Sequence, residues 1–302
     1  GRGRLYVDGL LAENHGSGTP AYDALMAGPT FSSTTPFTQQ PWLSGATPPR
    51  AGRHLVYLDV WNREVSALEQ PDLVEAAVGV DSTTRLQTVW QVRTLADEAP
   101  AGVDCASPDA AVPGWAALTA PSTGRLTTGT FDIAAGPDPC ELPPEGGYRG
   151  LENQLYRVQI HDAGLPGAGA TFKWSRENNA VGSRVTRFLS NTEVEVESLG
   201  RDDVLRFNTG DWVEFLDDER EFAQQPGELR RVTVHDDRRS LEFSGALGGL
   251  QPLRHNLRVR RWDQPTATLA VPKDGSPVTL EHGVTVSFTT ADPTDTTPFR
   301  AG

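Results

Sequence analysis

Lysine, cysteine and long apolar runs are all scarce in this 302-residue chain. Only Lys173 and Lys273 are lysines among its 27 basic residues, and all the others are arginine. GC-rich coding produces such a bias, and it is compatible with specific arginine pairing to carboxylates. Positive charge is also in deficit. The formal net charge of −13 leaves no broad attraction for a nucleic-acid backbone or an anionic lipid surface, so neither is expected as a partner. No run of 18 apolar residues exists, so membrane insertion is not expected.

Two cysteines exclude a disulfide-rich scaffold. Cys105 and Cys140 bracket a Pro/Gly/Ala-rich stretch, and they are either a candidate disulfide or two separate thiols. A bond closing a loop of this size contributes roughly 3–4 kcal/mol by restricting the unfolded chain. Neither a CxxC nor a paired-histidine spacing supplies four zinc ligands. The six histidines (His15, His54, His161, His235, His255 and His282) are dispersed, with no HExxH or HxH among them. No GxSxG elbow and no GxxxxGK[ST] loop is present either. No cofactor is expected.

What remains is turn-rich and globular. The chain has 30 glycines, 23 prolines and 37% hydrophobic residues, and its commonest periodic signal is two-residue alternation. These features predict a mostly β protein of antiparallel sheets or a sandwich, with a small barrel-like module and long irregular loops. "RLYVDGLLAEN" reads as a hairpin around Asp8-Gly9, and residues 14–52 then lose periodicity and read as a long surface segment. "RHLVYLDVWNREVSALEQ" and "TTRLQTVWQVRTL" read as neighbouring strands of one sheet, with a helical turn at "PDLVEAAVG" between them. The stretch "VLRFNTGDWVEFLDDEREFAQQPGELRRVTVHDDRRSLEFSG" reads as a small barrel with an acidic hairpin tip, closed by "NLRVRRWDQ". "PVTLEHGVTVSFTT" adds a hairpin. The expected organisation is a β-rich region over 1–100, a cysteine-bracketed excursion over 101–148, and a sandwich and barrel region over 149–302. "FRAG" at 299–302 echoes "FNTG" at 207–210, which suggests truncation before a further strand.

The densest chemistry lies in "YRVQIHDAGLPGAGATFKWSREN", residues 156–178. Alternation places Phe172, Trp174 and Arg176 on one face and Lys173, Ser175 and Glu177 on the other. The expectation is an amphipathic hairpin with its polar face in solvent and cross-strand charge pairs such as Lys173 with Asp162 or Glu177 with Arg157. Asp162 and Glu177 are the candidate carboxylate pair if the chain hydrolyses glycosides. Asp217, Asp218 and Glu219 are the candidate oxygen ligands if it binds Ca²⁺, although the twelve-residue glycine-bearing loop is missing. Trp42 and Trp115, in irregular segments, are the candidates for exposed contact residues or for pins that fasten loops to the body.

"GRLYVDGLLAEN", "LDVWNREVSALEQPDL", "TVWQVR", "YRGLENQLYRVQIHDAG", "ATFKWSRENNAV" and "GDWVEFLDD" together resemble an uncharacterised bacterial family associated with phage-tail-like contractile injection systems. The likeness runs from about residue 3 to residue 288. It implies no catalytic residues, and it implies a non-enzymatic structural or adhesive β module of a phage-tail-like particle or related secreted assembly. Other subunits of that assembly would be the partners, contacted at 14–52 and 105–140 and at strand edges. A location on a particle, or outside the cell after cytoplasmic assembly, would follow. The alternative is a carbohydrate-binding or carbohydrate-active β protein with a glycan partner.

Overall fold

A computed structural model describes residues 2–22, 29–95, 99–131, 147–150, 153–250, 256–290 and 297–301. The chain is mostly β and antiparallel, and it forms two compact units, residues 1–121 and 122–302. The boundary after Pro121 falls within the cysteine-bracketed stretch.

In the first unit, β1 (Gly3–Val7) and β2 (Leu10–Asn14) pair across Asp8-Gly9, both at positive φ as a tight hairpin turn requires. Residues 14–52 carry more structure than their lost periodicity suggests. β3 (Ser17–Tyr22) pairs with β4 (Pro29–Ser33), and the two-residue β5 (Gln39–Gln40) and β6 (Leu43–Ser44) pair with each other. β7 (Val56–Val65) and β10 (Arg85–Thr94) form the expected ribbon, in unbroken register from Val56 opposite Thr94 to Val65 opposite Arg85. Between them the helical turn shrinks to a single 3₁₀ turn, Pro71–Leu73. The β-branched residues after it pair instead, as β8 (Val74–Glu75) and β9 (Val80–Asp81) around Gly79.

Side-chain amides tie this unit together. The Gln40 amide exchanges two hydrogen bonds with the Val92 backbone, accepting from its N–H at 2.6 Å and donating to its carbonyl at 2.9 Å, as a paired strand would. Gln91, fully buried, donates to the Trp42 carbonyl. The one α-helix of the unit among the described residues, α1 (Trp115–Thr119), begins after Gly114 in the left-handed region.

The second unit combines two three-stranded sheets with a closed barrel. β11 (Gly124–Thr130), β22 (Val284–Thr290) and β21 (Val278–Thr279) form one sheet. β12 (Arg157–Ile160), β13 (Thr171–Ser175) and β20 (Leu269–Ala270) form the other. The barrel runs β14 (Gly182–Ser190), β15 (Glu193–Val196), β18 (Ser240–Phe243), β17 (Glu228–His235), β16 (Trp212–Leu216) and β19 (Arg258–Trp262), which closes back onto β14. Alternation explains it directly: Val194, Val196, Val213, Phe215, Leu241, Phe243 and Val259 fill the interior. A second core gathers Ala170, Phe172, Trp174, Val271, Val286, Phe288 and Phe299.

The acidic tip expected at "LDDERE" is a short helix, α2 (Asp218–Phe222). Asp217 caps it by accepting the Arg220 N–H at 2.9 Å, and carboxylates crowd its first turn, where they favour a helix start.

Candidate functional site: a buried cluster between the hairpin and the barrel wall

The quoted hairpin departs from expectation in one respect that decides its role. Phe172 and Trp174 face the second core, but the opposite face of β13 is not in solvent. Lys173 is 2% exposed and Ser175 3% exposed. That face lies on the outside of the barrel wall, against side chains that alternate with the barrel's interior residues. Glu214 sits between Val213 and Phe215 on β16, so it points away from the barrel core, and the hairpin covers it.

Glu214 is where the donors converge. The Lys173 ammonium contacts its Oε1. The Gly227 N–H donates to the same oxygen at 2.8 Å, and the Trp262 indole N–H donates to Oε2 at 2.9 Å. The ammonium also lies over the Trp262 ring, 4.5 Å from its centroid, where the ring quadrupole attracts a cation. Gly227 has no room for a side chain, since an added Cβ would stand 2.5 Å from both Glu214 Cγ and the Phe215 carbonyl. His161, at the end of β12, places Nδ1 3.9 Å from Glu214 Oε1.

The electrostatics follow from burial and charge. Burial alone would raise the Glu214 carboxyl, but the Lys173 charge and hydrogen bond, with His161 and the Gly227 N–H, hold it below the usual carboxylate range. Burial pushes the Lys173 ammonium below the usual lysine range, against the pull of Glu214. Burial, then the neighbouring Lys173 charge, lowers His161, with Glu214 and Asp162 opposing.

A second network fastens the end of β13. The Arg176 fork takes both oxygens of Glu281, and its Nη1 donates to Asp263 at 3.3 Å. The Arg176 N–H and the Ser175 hydroxyl donate to the other Asp263 oxygen at 2.8 and 3.0 Å. The Tyr156 hydroxyl donates to Glu281 at 3.0 Å, and burial with that hydrogen bond holds the phenol well above its usual range. Next come three consecutive non-glycine residues at left-handed φ, Glu177, Asn178 and Asn179, at 50°, 54° and 62°. Each costs roughly 1–2 kcal/mol, less for asparagine. The surroundings hold the turn: the Asn179 amide donates to the Arg261 carbonyl at 2.6 Å, Arg260 donates to the Asn179 carbonyl at 3.0 Å, and the Asn178 N–H reaches the Leu155 carbonyl at 2.7 Å.

The other sequence candidates are dispersed. Asp162 is exposed and accepts the Thr171 hydroxyl at 2.6 Å at one end of β13, while Glu177 follows the other end. At about 3.3 Å per residue the strand alone separates them by roughly 13 Å, beyond the reach of one glycosidic bond. Of the residues expected in surface pairs, Lys173 meets the buried Glu214, and Arg157 donates to Asn178 at 3.0 Å. Asp217 is the α2 cap and is buried, and Asp218 accepts from Arg258 at 2.9 Å. Glu219 is exposed in the same helix. Among the described residues no group of three or more His, Cys, Asp or Glu side chains is placed to hold a metal ion. Trp42 is half-buried edge-on to Trp90 with centroids 5.4 Å apart, and Trp115 is half-buried edge-on to Tyr57 at 5.5 Å. Cys105 is an exposed free thiol, and Cys140 lies outside the described residues. No described helix is long and apolar enough to cross a membrane.

Glu214, Gly227 and Trp262 escaped sequence reasoning, because nothing local links them to residue 173. One signal was present: in a chain whose basic residues are nearly all arginine, one of the two lysines stands in the middle of a strand. No curated protein and no solved structure matches the chain. Residues 1–123 and 104–296 match the model of a family of unknown function, DUF6519, and the chain belongs to that family.

Proposed function

We propose that this protein is a non-enzymatic structural β module of a phage-tail-like particle or a related secreted assembly. The observation that carries the reading is the closure of its densest chemical cluster. Lys173, Glu214 and His161 are 2%, 5% and 8% exposed; Gly227 and Trp262 of the barrel fix the Glu214 carboxylate, and the Lys173 ammonium is spent on holding the hairpin to it. A substrate in solution has no approach to them. The resemblance noted from the sequence motifs supports the same role. Assembly contacts then fall to exposed strands such as β11, which among the described residues pairs along one edge only and keeps Leu126 47% exposed. A strand edge of this kind accepts a partner's strand. The segments 14–52 and 105–140 remain the proposed contact loops. No observation favours the glycan alternative, since Trp42 and Trp115 are each half-buried edge-on to an aromatic ring of their own unit.

The test is sedimentation of native-host lysate with mass spectrometry of whatever travels with the full-length protein. Recovery with tube, sheath or baseplate subunits supports the proposal, and recovery as a free monomer refutes it.

A further inference from the structure

Glu214 receives more than an ion pair needs. One of its oxygens meets an ammonium and a backbone N–H, the other meets an indole N–H, and the whole is closed to solvent. Beside it, His161 Nδ1 is buried, 3.9 Å from Glu214 Oε1, with no hydrogen-bond partner among the described residues. These are the parts of an acyl-transfer site whose amine and acyl group both belong to the chain. We propose that Lys173 and Glu214 condense into an intrachain isopeptide bond, with His161 moving the protons, which fastens the β12–β13 hairpin covalently to the barrel wall. The inference stands on this cluster alone and is independent of the assembly role proposed above.

The chemistry balances without an outside reagent. A proton passes transiently from the Lys173 ammonium to the Glu214 carboxylate, giving an amine and a carboxylic acid, a neutral pair whose cost burial reduces by penalising both charges. The desolvated amine is the nucleophile, and its lone pair attacks Glu214 Cδ. Trp262 Nε1–H lies on Oε2, where negative charge develops in the tetrahedral intermediate. His161 Nδ1 takes the surplus proton from the nitrogen and delivers it to Oε1, which departs as water. One C–N bond forms, one C–O bond breaks, and one water is released. Oε2 stays as the amide carbonyl and keeps its hydrogen bond from Trp262. Arginine could not do this, because its guanidinium cannot be deprotonated in proteins. The many arginine–carboxylate pairs elsewhere, such as Arg258 with Asp218 and Glu221, therefore remain ionic.

Two lysines make the test direct. The full chain, reduced and denatured, is weighed intact, then acylated with an amine-reactive reagent, digested and sequenced by mass spectrometry. The expected result is a mass one water below that of the sequence, acylation of Lys273 but not Lys173, and a branched peptide joining Lys173 to Glu214. A full sequence mass with both lysines acylated would overturn the bond. Lys173→Arg should restore the full mass, and persistent loss of water in that variant would place the dehydration elsewhere and also overturn it. Both readouts are made on denatured chains, so neither depends on how well the variant folds. Soluble His161→Gln protein should show a lower bonded fraction, and an unchanged fraction would remove His161 from the mechanism.

Discussion

In the ion-paired form, removing either member of the Lys173–Glu214 pair should be strongly destabilising, and removing both should cost less than the sum of the two single losses. Lys173→Met keeps an unbranched side chain of similar length and deletes the charge. Glu214 then keeps two hydrogen bonds, from Gly227 and Trp262, but its charge is buried without a countercharge. Breaking a buried pair in this way costs about 3–5 kcal/mol. Glu214→Gln leaves the converse, an ammonium 2% exposed and facing an amide whose own N–H₂ must meet one of the two remaining donors, and a similar loss is expected. The double variant removes both charges, so its loss should fall short of the sum of the single losses by roughly 1–3 kcal/mol. Urea denaturation followed by tryptophan fluorescence measures this, because Trp262 is buried against the pair and Trp174 is buried in the adjoining core. The slope should stay constant across the series, so that the midpoint reports stability alone. Single variants within about 0.5 kcal/mol of the parent, or a double variant that loses the full sum, would refute the view that this cluster locks the hairpin to the barrel.

Three further outcomes test other parts of the account. His161 is held below its ordinary value of about 6.5, so on acidification the unfolded chain protonates first, and stability is full above that value and falls as pH drops through the lowered folded value. Urea midpoints between about pH 7.5 and 5.5 should decline in the parent, and the decline should be shallower in His161→Gln. Gly227→Ala forces a methyl against Glu214 Cγ and a backbone carbonyl that cannot step aside, and should cost about 1–3 kcal/mol by the same assay. Trp42→Ala should destabilise the first unit by about 2 kcal/mol, roughly half the loss expected for a fully buried aromatic, and leave the second unit's transition unmoved.

Where structure is set by local chemistry, the residues announce it. Asp8-Gly9 makes its turn because both residues accept positive φ, and the alternation of β16, β17 and β18 matches a barrel wall with a filled interior. The paired echo of "DVWNR" and "TVWQVR" is a real ribbon, with Trp61 opposite Val89 and Trp90 opposite Val60. Where weak local preferences compete, the reading fails. "LDDERE" carries both the high charge of a solvated tip and the cap-plus-acid signature of a helix start, and the Asp217 cap prevails. Residues 14–52 look irregular because β5 and β6 have only two residues each, β3 and β4 carry proline and a register shift, and the order rests on distant partners such as Gln40 with Val92.

The misjudged face of β13 has a more general cause. Two-residue alternation reports that the faces of a strand differ, and it cannot report what each face meets. A polar face turned to water and a polar face turned to a second buried layer give the same string, here Lys173, Ser175 and Glu177. The difference is made by Glu214, 41 residues further on, and by Trp262 on the last barrel strand, which lie outside any window used to detect periodicity. Side-chain type carries the remaining information. A solvated strand face in this chain would be expected to use arginine, as the exposed Arg187 and Arg231 do. What lysine brings to a closed site is a compact point charge on a flexible stem, one that can give up its proton when water is excluded. Lys173 differs from the equally buried Arg258 not in burial but in chemistry, since an ammonium can be deprotonated and a guanidinium cannot.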